Sequence, residues 1–108
     1  MKNIIRIIVL ACLSVNAHGY SDAVLGYGTK SCNTWTEERS KESSAAAHYE
    51  DWVLGFLTGA NAYMPGNMLK VHSEAGLLGW VDTYCKENPL KRIVDAADRL
   101  TVEIVHFE

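Results

Sequence analysis

The stretch that decides the fold is YEDWVLGFLTGANAY, residues 49–63. Its apolar side chains recur at intervals of three and four residues, which places them on one face of an α-helix. The segment MPGN, residues 64–67, follows directly. Proline at its second position and glycine at its third are typical of a β-turn, which predicts that the helix ends there. The predicted buried positions are Tyr49, Trp52, Val53, Phe56, Leu57, Ala60 and Tyr63.

Three further segments around this helix have helical signals. Thr34 to Glu37 has the spacing of a capping box and predicts a short helix through Arg39. Ser73 is placed to cap a third helix, and Asn88-Pro89 has the residue types that end one helix and open the next. No stretch alternates convincingly with a period of two, so we predict an all-α fold, a small bundle of about four helices.

The predicted core of the bundle follows from the same periodicity. We expect the three tryptophans, Trp35, Trp52 and Trp80, to belong to it. The third helix contributes Leu77, Trp80, Val81 and Tyr84, with Leu78 and Cys85 on its flank, and the fourth contributes Leu90, Ile93, Val94, Ala97, Leu100 and Ile104.

The N-terminus has the order of features found in a secretory signal peptide. Lys2 gives it a positive charge, residues 4–15 are mostly apolar, and Val15-Asn16-Ala17 ends in a small residue. The apolar run is short and contains Arg6, whereas a spanning helix needs about 20 apolar residues. We therefore predict cleavage after Ala17, export to the periplasm and no membrane span.

The cysteines agree with an oxidising compartment. Cys12 leaves with the predicted signal peptide, and an even pair in a small exported chain predicts one disulfide, Cys32–Cys85. Closing such a loop stabilises a fold by about 4 kcal/mol in the chain-entropy model. An alternative interpretation makes Cys12 a lipid-modified cysteine, because Val9-Leu10-Ala11-Cys12 loosely resembles a lipobox.

Length and charge restrict the domain organisation and the partners. The prediction divides the chain into a signal peptide at 1–17, an irregular arm at 18–31 and one helical domain at 32–108. The net charge is −3, and after cleavage eight cationic side chains remain against thirteen acidic ones, which gives −5. An acidic domain without a lysine or arginine cluster has no electrostatic reason to bind nucleic acid.

Side-chain patterns for catalysis are missing from the sequence. His48, Glu50 and Asp51 could begin a metal site, but zinc needs three or four ligands and no second pair has useful spacing. Acidic residues in a first helical turn are explained by the helix dipole. No nucleophile elbow, lysine-paired hydroxyl or phosphate loop is present. We predict no enzyme activity, no metal and no cofactor.

Two features indicate protein binding. The segment Met64 to His72 carries Met64, Asn67, Met68 and Leu69, and methionine-rich surface adapts well to partners, although the segment could equally fold back onto the core. Gly55 and Gly59 lie on one flank of the second helix. We expect them to allow close helix packing within the chain; the alternative is a homodimer or a partner groove.

A resemblance to a known family lies in three segments: Trp52 to Gly59, Gly76 to Cys85, and the Asn88-Pro89 start of an alanine-containing last helix. Together they resemble the Rap/Tai immunity proteins of type VI secretion systems. That resemblance implies a small exported all-α protein with disulfides, which binds and silences a toxic cell-wall amidase in the periplasm.

A second resemblance is to HdeA, the periplasmic acid-stress chaperone. It lies in size, compartment and a single disulfide, not in a motif. It implies the alternative function, a chaperone that opens at low pH as its carboxylates are protonated.

Overall fold

The computed structural model describes residues 22–107, and most of these residues are helical. They are α1 Cys32–Lys41, α2 Ala46–Ala62, α3 Glu74–Glu87 and α4 Ile93–Phe107, and a 3₁₀ turn, Gly26–Thr29, precedes them. Residues 22–107 contain no β-strand, so the predicted all-α bundle of four helices is confirmed. The predicted signal peptide, its cleavage position after Ala17 and Cys12 lie outside the described residues.

The first helix begins earlier than its predicted capping box. Ser31 is the N-cap, because its hydroxyl accepts a hydrogen bond from the Thr34 amide at 3.1 Å. The prediction that the cap starts at Thr34 is therefore wrong: the motif is shifted by one helical turn, and Thr34 lies inside α1. Residues 22–31 of the predicted irregular arm include the 3₁₀ turn.

The caps around the α2–α3 loop agree with the sequence. Gly66 has a φ of +77°, the left-handed conformation that the predicted turn at residues 64–67 requires of its third residue. Ser73 caps α3 as predicted, because its hydroxyl accepts from the Gly76 amide at 3.0 Å. These local signals therefore set the end of α2 and the start of α3.

The core lies where the four helices meet, and α4 packs against both α2 and α3. Trp35 is fully buried, whereas Trp52 and Trp80 are half-buried against the core. Tyr63, predicted to be buried, is 93% exposed because it follows the last turn of α2. The buried face of α3 consists of Leu77, Leu78, Val81 and Cys85, so Leu78 and Cys85 are in the core rather than on its flank.

The predicted disulfide joins the start of α1 to the end of α3. Cys32 and Cys85 are bonded, with 4.7 Å between their Cα atoms, and neither is accessible to solvent. The bond spans 53 positions of the sequence and fixes two helices that pack against each other. The small core therefore has a covalent link at its centre.

The start of α4 differs from the prediction. Asn88 ends α3, and its side-chain amide donates to the Tyr84 carbonyl at 2.9 Å. The following residues pair with the chain around the start of α1: the Cys32 amide donates to the Lys91 carbonyl at 2.7 Å, and the Ile93 amide to the Lys30 carbonyl at 2.9 Å. Because the backbone there is committed to these long-range bonds, α4 begins only at Ile93. Leu90, predicted to be buried, is consequently 96% exposed.

Candidate functional site

The α2–α3 loop, residues 63–73, is held by one side chain of α2. The Oδ1 atom of Asn61 accepts from the Met68 amide at 2.7 Å and from the Leu69 amide at 3.3 Å. Its Nδ2 atom donates to Oδ1 of Asn67 at 3.1 Å. A single amide therefore fixes three consecutive loop residues, and the loop has a defined shape despite its lack of secondary structure.

The predicted partner-binding residues divide into two groups in this loop. Met68 and Leu69 are half-buried and pack against the core, and Met64 is also half-buried. These three side chains line one small cleft with Leu57 and Ile104. Asn67 is exposed. The sequence left open whether this segment is exposed for a partner or folds back onto the core. Met68 and Leu69 fold back onto the core.

The exposed apolar side chains of the loop were not among the residues predicted to bind a partner. Tyr63 is 93% exposed and Val71 is 71% exposed. We call Tyr63, Asn67 and Val71 the loop surface. The signal for Tyr63 was present in the sequence, since it directly precedes the turn, but its fit to the helical period of α2 favoured burial.

An open groove adjoins the loop. It has a volume of about 330 Å³ and lies between α3 and α4, with His72 at the end that meets the loop. Leu77, Leu100 and Ile104 line it with Trp80, and Glu103 contributes a carboxylate. Exposed apolar surface rimmed by polar groups is typical of protein-interaction sites and ligand-binding grooves. The groove and the loop surface therefore form a candidate site for a protein partner.

The charged cluster on the other side of α3 has a structural role. Arg39 on α1 donates to both carboxylate oxygens of Asp82, at 2.9 and 2.6 Å, and to Glu50 on α2 at 3.3 Å. The indole of Trp35 also donates to Asp82, at 2.8 Å. A cleft of about 300 Å³ lies beside Arg39, but the guanidinium is already engaged by two carboxylates. The cluster joins three helices, and nothing in the sequence signalled it, since its members are up to 47 residues apart.

This cluster changes the titration of its members. Partial burial by itself raises the pKa of Asp82, but the hydrogen bonds from Arg39 and Trp35 and the positive charge of Arg39 outweigh it. The pKa of Asp82 therefore lies below its ordinary value. The pKa of Arg39 is raised, chiefly by its hydrogen bond with Asp82. Both groups are thus held in their charged forms at neutral pH.

His48, Glu50 and Asp51 do not converge on one point. The His48 ring stacks on Tyr27, with 5.5 Å between centroids, Glu50 accepts from Arg39, and Asp51 is exposed. Within residues 22–107 no group of three or more His, Cys, Asp or Glu side chains is placed to hold a metal ion. None of the helices in this range is both long and apolar enough to cross a membrane.

Within residues 22–107, Gly55 and Gly59 do not mediate close packing. A Cβ atom added at either glycine would meet nothing within 4 Å, and both residues are exposed on α2. Neither glycine makes a tight contact with another of the four described helices, so the expected close helix packing is wrong for this part of the chain. Gly28 does allow a close approach, because an added Cβ there would overlap the Trp52 ring.

Comparisons with protein-family models, with curated proteins and with solved structures find no match to this chain. The resemblances to the Rap/Tai immunity proteins and to HdeA therefore stay predictions.

Proposed function

We propose that this chain is an exported, non-catalytic domain that binds one protein partner through the loop surface and the adjoining groove. In line with the Rap/Tai resemblance, the proposed partner is an exported toxin, most simply a cell-wall amidase, which the domain inhibits. The observation that carries the proposal is the exposure of Tyr63 and Val71 on a loop that Asn61 holds in place.

The physical support is preorganisation. Binding loses affinity when a loop must first be ordered, and the bonds from Asn61 reduce that cost. Tyrosine is enriched at the centres of protein interfaces, because it buries a large rigid ring and keeps a hydrogen-bonding hydroxyl. An exposed tyrosine on a loop whose other end, at His72, lines an apolar groove therefore suits a partner more than it suits solvent.

The charge of the domain favours a basic partner. With a net charge of −5 after the predicted cleavage, the domain attracts a positively charged surface over several ångströms. Such attraction acts mostly on the association rate, which falls as salt screens it. A slower association at higher ionic strength, with a little-changed dissociation rate, is expected for the cognate pair.

The loop surface can be tested by a double substitution. The Tyr63→Ala/Val71→Ala variant should bind the partner captured from periplasm at pH 7 at least tenfold more weakly, because truncating a hot-spot residue at the centre of an interface costs about 2 kcal/mol or more. Affinity is measured by calorimetry, together with inhibition of the partner's enzymatic activity. Its matched control is Leu90→Ala, which truncates a side chain that is 96% exposed outside the loop. Equal affinity for both variants and the wild type would rule out the loop surface.

A second candidate function is an acid-activated chaperone, favoured by the cluster around Arg39. Asp82 and Glu50 join α1 to α3 and α2 through that one guanidinium. Protonating the carboxylates removes these ion pairs, which would loosen the three helices and expose apolar surface. A chaperone of this kind would prevent aggregation of unfolded clients near pH 2–3 and not at pH 7.

The pH dependence of the cluster has a definite sign. Because folding lowers the pKa of Asp82, its stabilising contribution is complete above the ordinary aspartate value and is lost as pH falls below about 4. Asp98 acts in the opposite direction, since desolvation and the nearby Asp95 raise its pKa, so acid relieves its unfavourable charge. In urea unfolding, Asp82→Asn should destabilise the domain at pH 7 and much less at pH 3. An equal effect at both pH values would show that Asp82 does not contribute to the acid response; Asp98→Asn is the matched control.

A further inference from the structure

A turn between α3 and α4 holds one apolar side chain out in solvent. The Lys91 amide donates to the Asn88 carbonyl at 3.1 Å, which closes a β-turn with Pro89 and Leu90 at its centre. The Pro89 carbonyl accepts from the Asn33 amide at 3.1 Å, so the turn is bonded to the first turn of α1. Leu90 is 96% exposed, although both of its neighbours are fixed by these backbone bonds. A leucine is therefore presented to solvent in a defined position.

The fold gathers cations around this turn. Ser31 and Arg92 face each other in an antiparallel pair of backbone segments, which brings Lys30 beside Lys91. Segments paired in this way lie about 5 Å apart. We call residues 30–33 together with residues 88–93 the paired end; these ten residues include three cations and no carboxylate. The sequence shows no such cluster, because Lys30 and Lys91 are 61 positions apart.

The two lysines are the uncompensated charges of the paired end. Arg92 pairs with Asp95 at 3.8 Å, and the last turn of α3 adds one lysine and one glutamate, residues 86–87, which cancel in formal charge. Lys30 and Lys91 are exposed, and among residues 22–107 neither forms an ion pair. Both ammonium groups are therefore available to an anionic surface.

The paired end is separated from the acidic remainder of the domain by the length of a helix. α3 has 14 residues and therefore spans about 21 Å. Salt at physiological concentration screens exposed charges over about 8 Å, so carboxylates at the far end of α3 are largely screened here. An anionic surface that approaches the paired end thus meets local positive charge, although the net charge after the predicted cleavage is −5.

We propose that the paired end docks reversibly on an anionic phospholipid membrane, with Lys30 and Lys91 at the lipid headgroups and Leu90 inserted just below them. A bilayer presents negative charge with an apolar layer underneath, which matches an exposed leucine flanked by lysines. A nucleic acid offers the charge without that layer. The loop surface lies at the other end of α3, so the docked domain presents it away from the membrane. This docking goes beyond the proposed function, because it involves no protein partner.

Partition onto vesicles tests the docking directly. The full chain is expressed, and the exported protein is mixed with vesicles of phosphatidylglycerol and phosphatidylcholine or of phosphatidylcholine alone; flotation separates the bound protein. The wild-type protein should bind the anionic vesicles at least tenfold more strongly, and this binding should weaken as salt is added. Equal binding to both kinds of vesicle, or binding to neither, would overturn the proposal.

Charge reversal at the two lysines locates the binding. Lys30→Glu/Lys91→Glu should lower partition onto the anionic vesicles at least tenfold, since each cation near such a surface contributes about fivefold to affinity. The fold should be retained, because both side chains are exposed and the bonds given above use backbone atoms. The matched control, Lys41→Glu/Lys70→Glu, makes the same change in net charge at exposed positions outside the paired end. An equal loss in the control would show that net charge alone sets the partition, against the proposal.

Leu90 distinguishes insertion into a membrane from attraction to any polyanion. Leu90→Ser should lower the partition severalfold, whereas Leu90→Trp should raise it, because tryptophan favours the interface between lipid and water. The control is Val71→Ser, which changes a side chain that is 71% exposed in the α2–α3 loop and should leave the partition unchanged. If lysine reversal weakened binding while both Leu90 variants bound like the wild type, the paired end would recognise anionic groups alone, as on an acidic protein, and membrane docking would be wrong.

Discussion

Replacing Cys85 by serine should lower the free energy of unfolding by about 2–5 kcal/mol, the range found when small secreted domains lose a native disulfide. The bond closes a loop of 53 positions, so its loss gives the unfolded chain much more conformational freedom. Both cysteines are completely buried, and the serine hydroxyl would face an apolar core without an assured partner. Chemical denaturation followed by circular dichroism measures the change.

A matched variant separates the two contributions. The double variant Cys32→Ala/Cys85→Ala removes the cross-link without burying a hydroxyl group, so it should be less destabilised than Cys85→Ser. Reduction of the wild-type protein supplies an independent comparison. If oxidised and reduced protein unfolded at the same denaturant concentration, the disulfide would not stabilise this domain.

Trp35→Ala should have an effect of similar size, about 3–5 kcal/mol, because it removes the largest fully buried side chain. The indole also donates to Asp82 at 2.8 Å, and the Arg39 guanidinium lies 5.7 Å from its ring centroid. The substitution therefore leaves a cavity and weakens the cluster that joins α1 to α3. Urea unfolding at pH 7 measures both consequences together.

Two substitutions divide this effect. Trp35→Phe keeps most of the buried ring but removes the hydrogen bond to Asp82, at a cost near 1 kcal/mol in addition to the smaller volume. Trp80→Ala truncates a half-buried tryptophan of α3 and should destabilise less than Trp35→Ala. A larger effect at Trp80 would mean that the packing of α3 on α4, rather than the Trp35 cluster, dominates stability.

The parts of the fold that depend on residues close together in the sequence were predictable. The period of α2, the turn at Gly66 and the cap at Ser73 are all set within a few residues, and the structure has them. The pairing of Cys32 with Cys85 followed from a count, because the predicted cleavage leaves no third cysteine.

The start of α4 shows why local signals fail. Asn88 and Pro89 have the chemistry of a helix start, but residues 89–93 bond to the backbone near Ser31 instead. A partner about 60 positions away leaves no trace in a short window of sequence. The same holds for Arg39 with Asp82 and for Gly28 with Trp52, which lie 43 and 24 positions apart. The candidate site was partly predictable, since the sequence selected the loop but not its exposed side chains Tyr63 and Val71.

The pairing of residues 30–33 with residues 89–93 also sets an order of events for a chain that emerges from its N-terminus. The backbone groups beside α1 find their partners only after about four fifths of the polypeptide has emerged, because Lys91 and Ile93 lie that far along the chain. Before that point α1 cannot bury Trp35 under its final neighbours, and the native bond of Cys32 cannot form until Cys85 appears. The bundle therefore folds late and cooperatively. A chain that stops short of α4 would therefore lack a stable core.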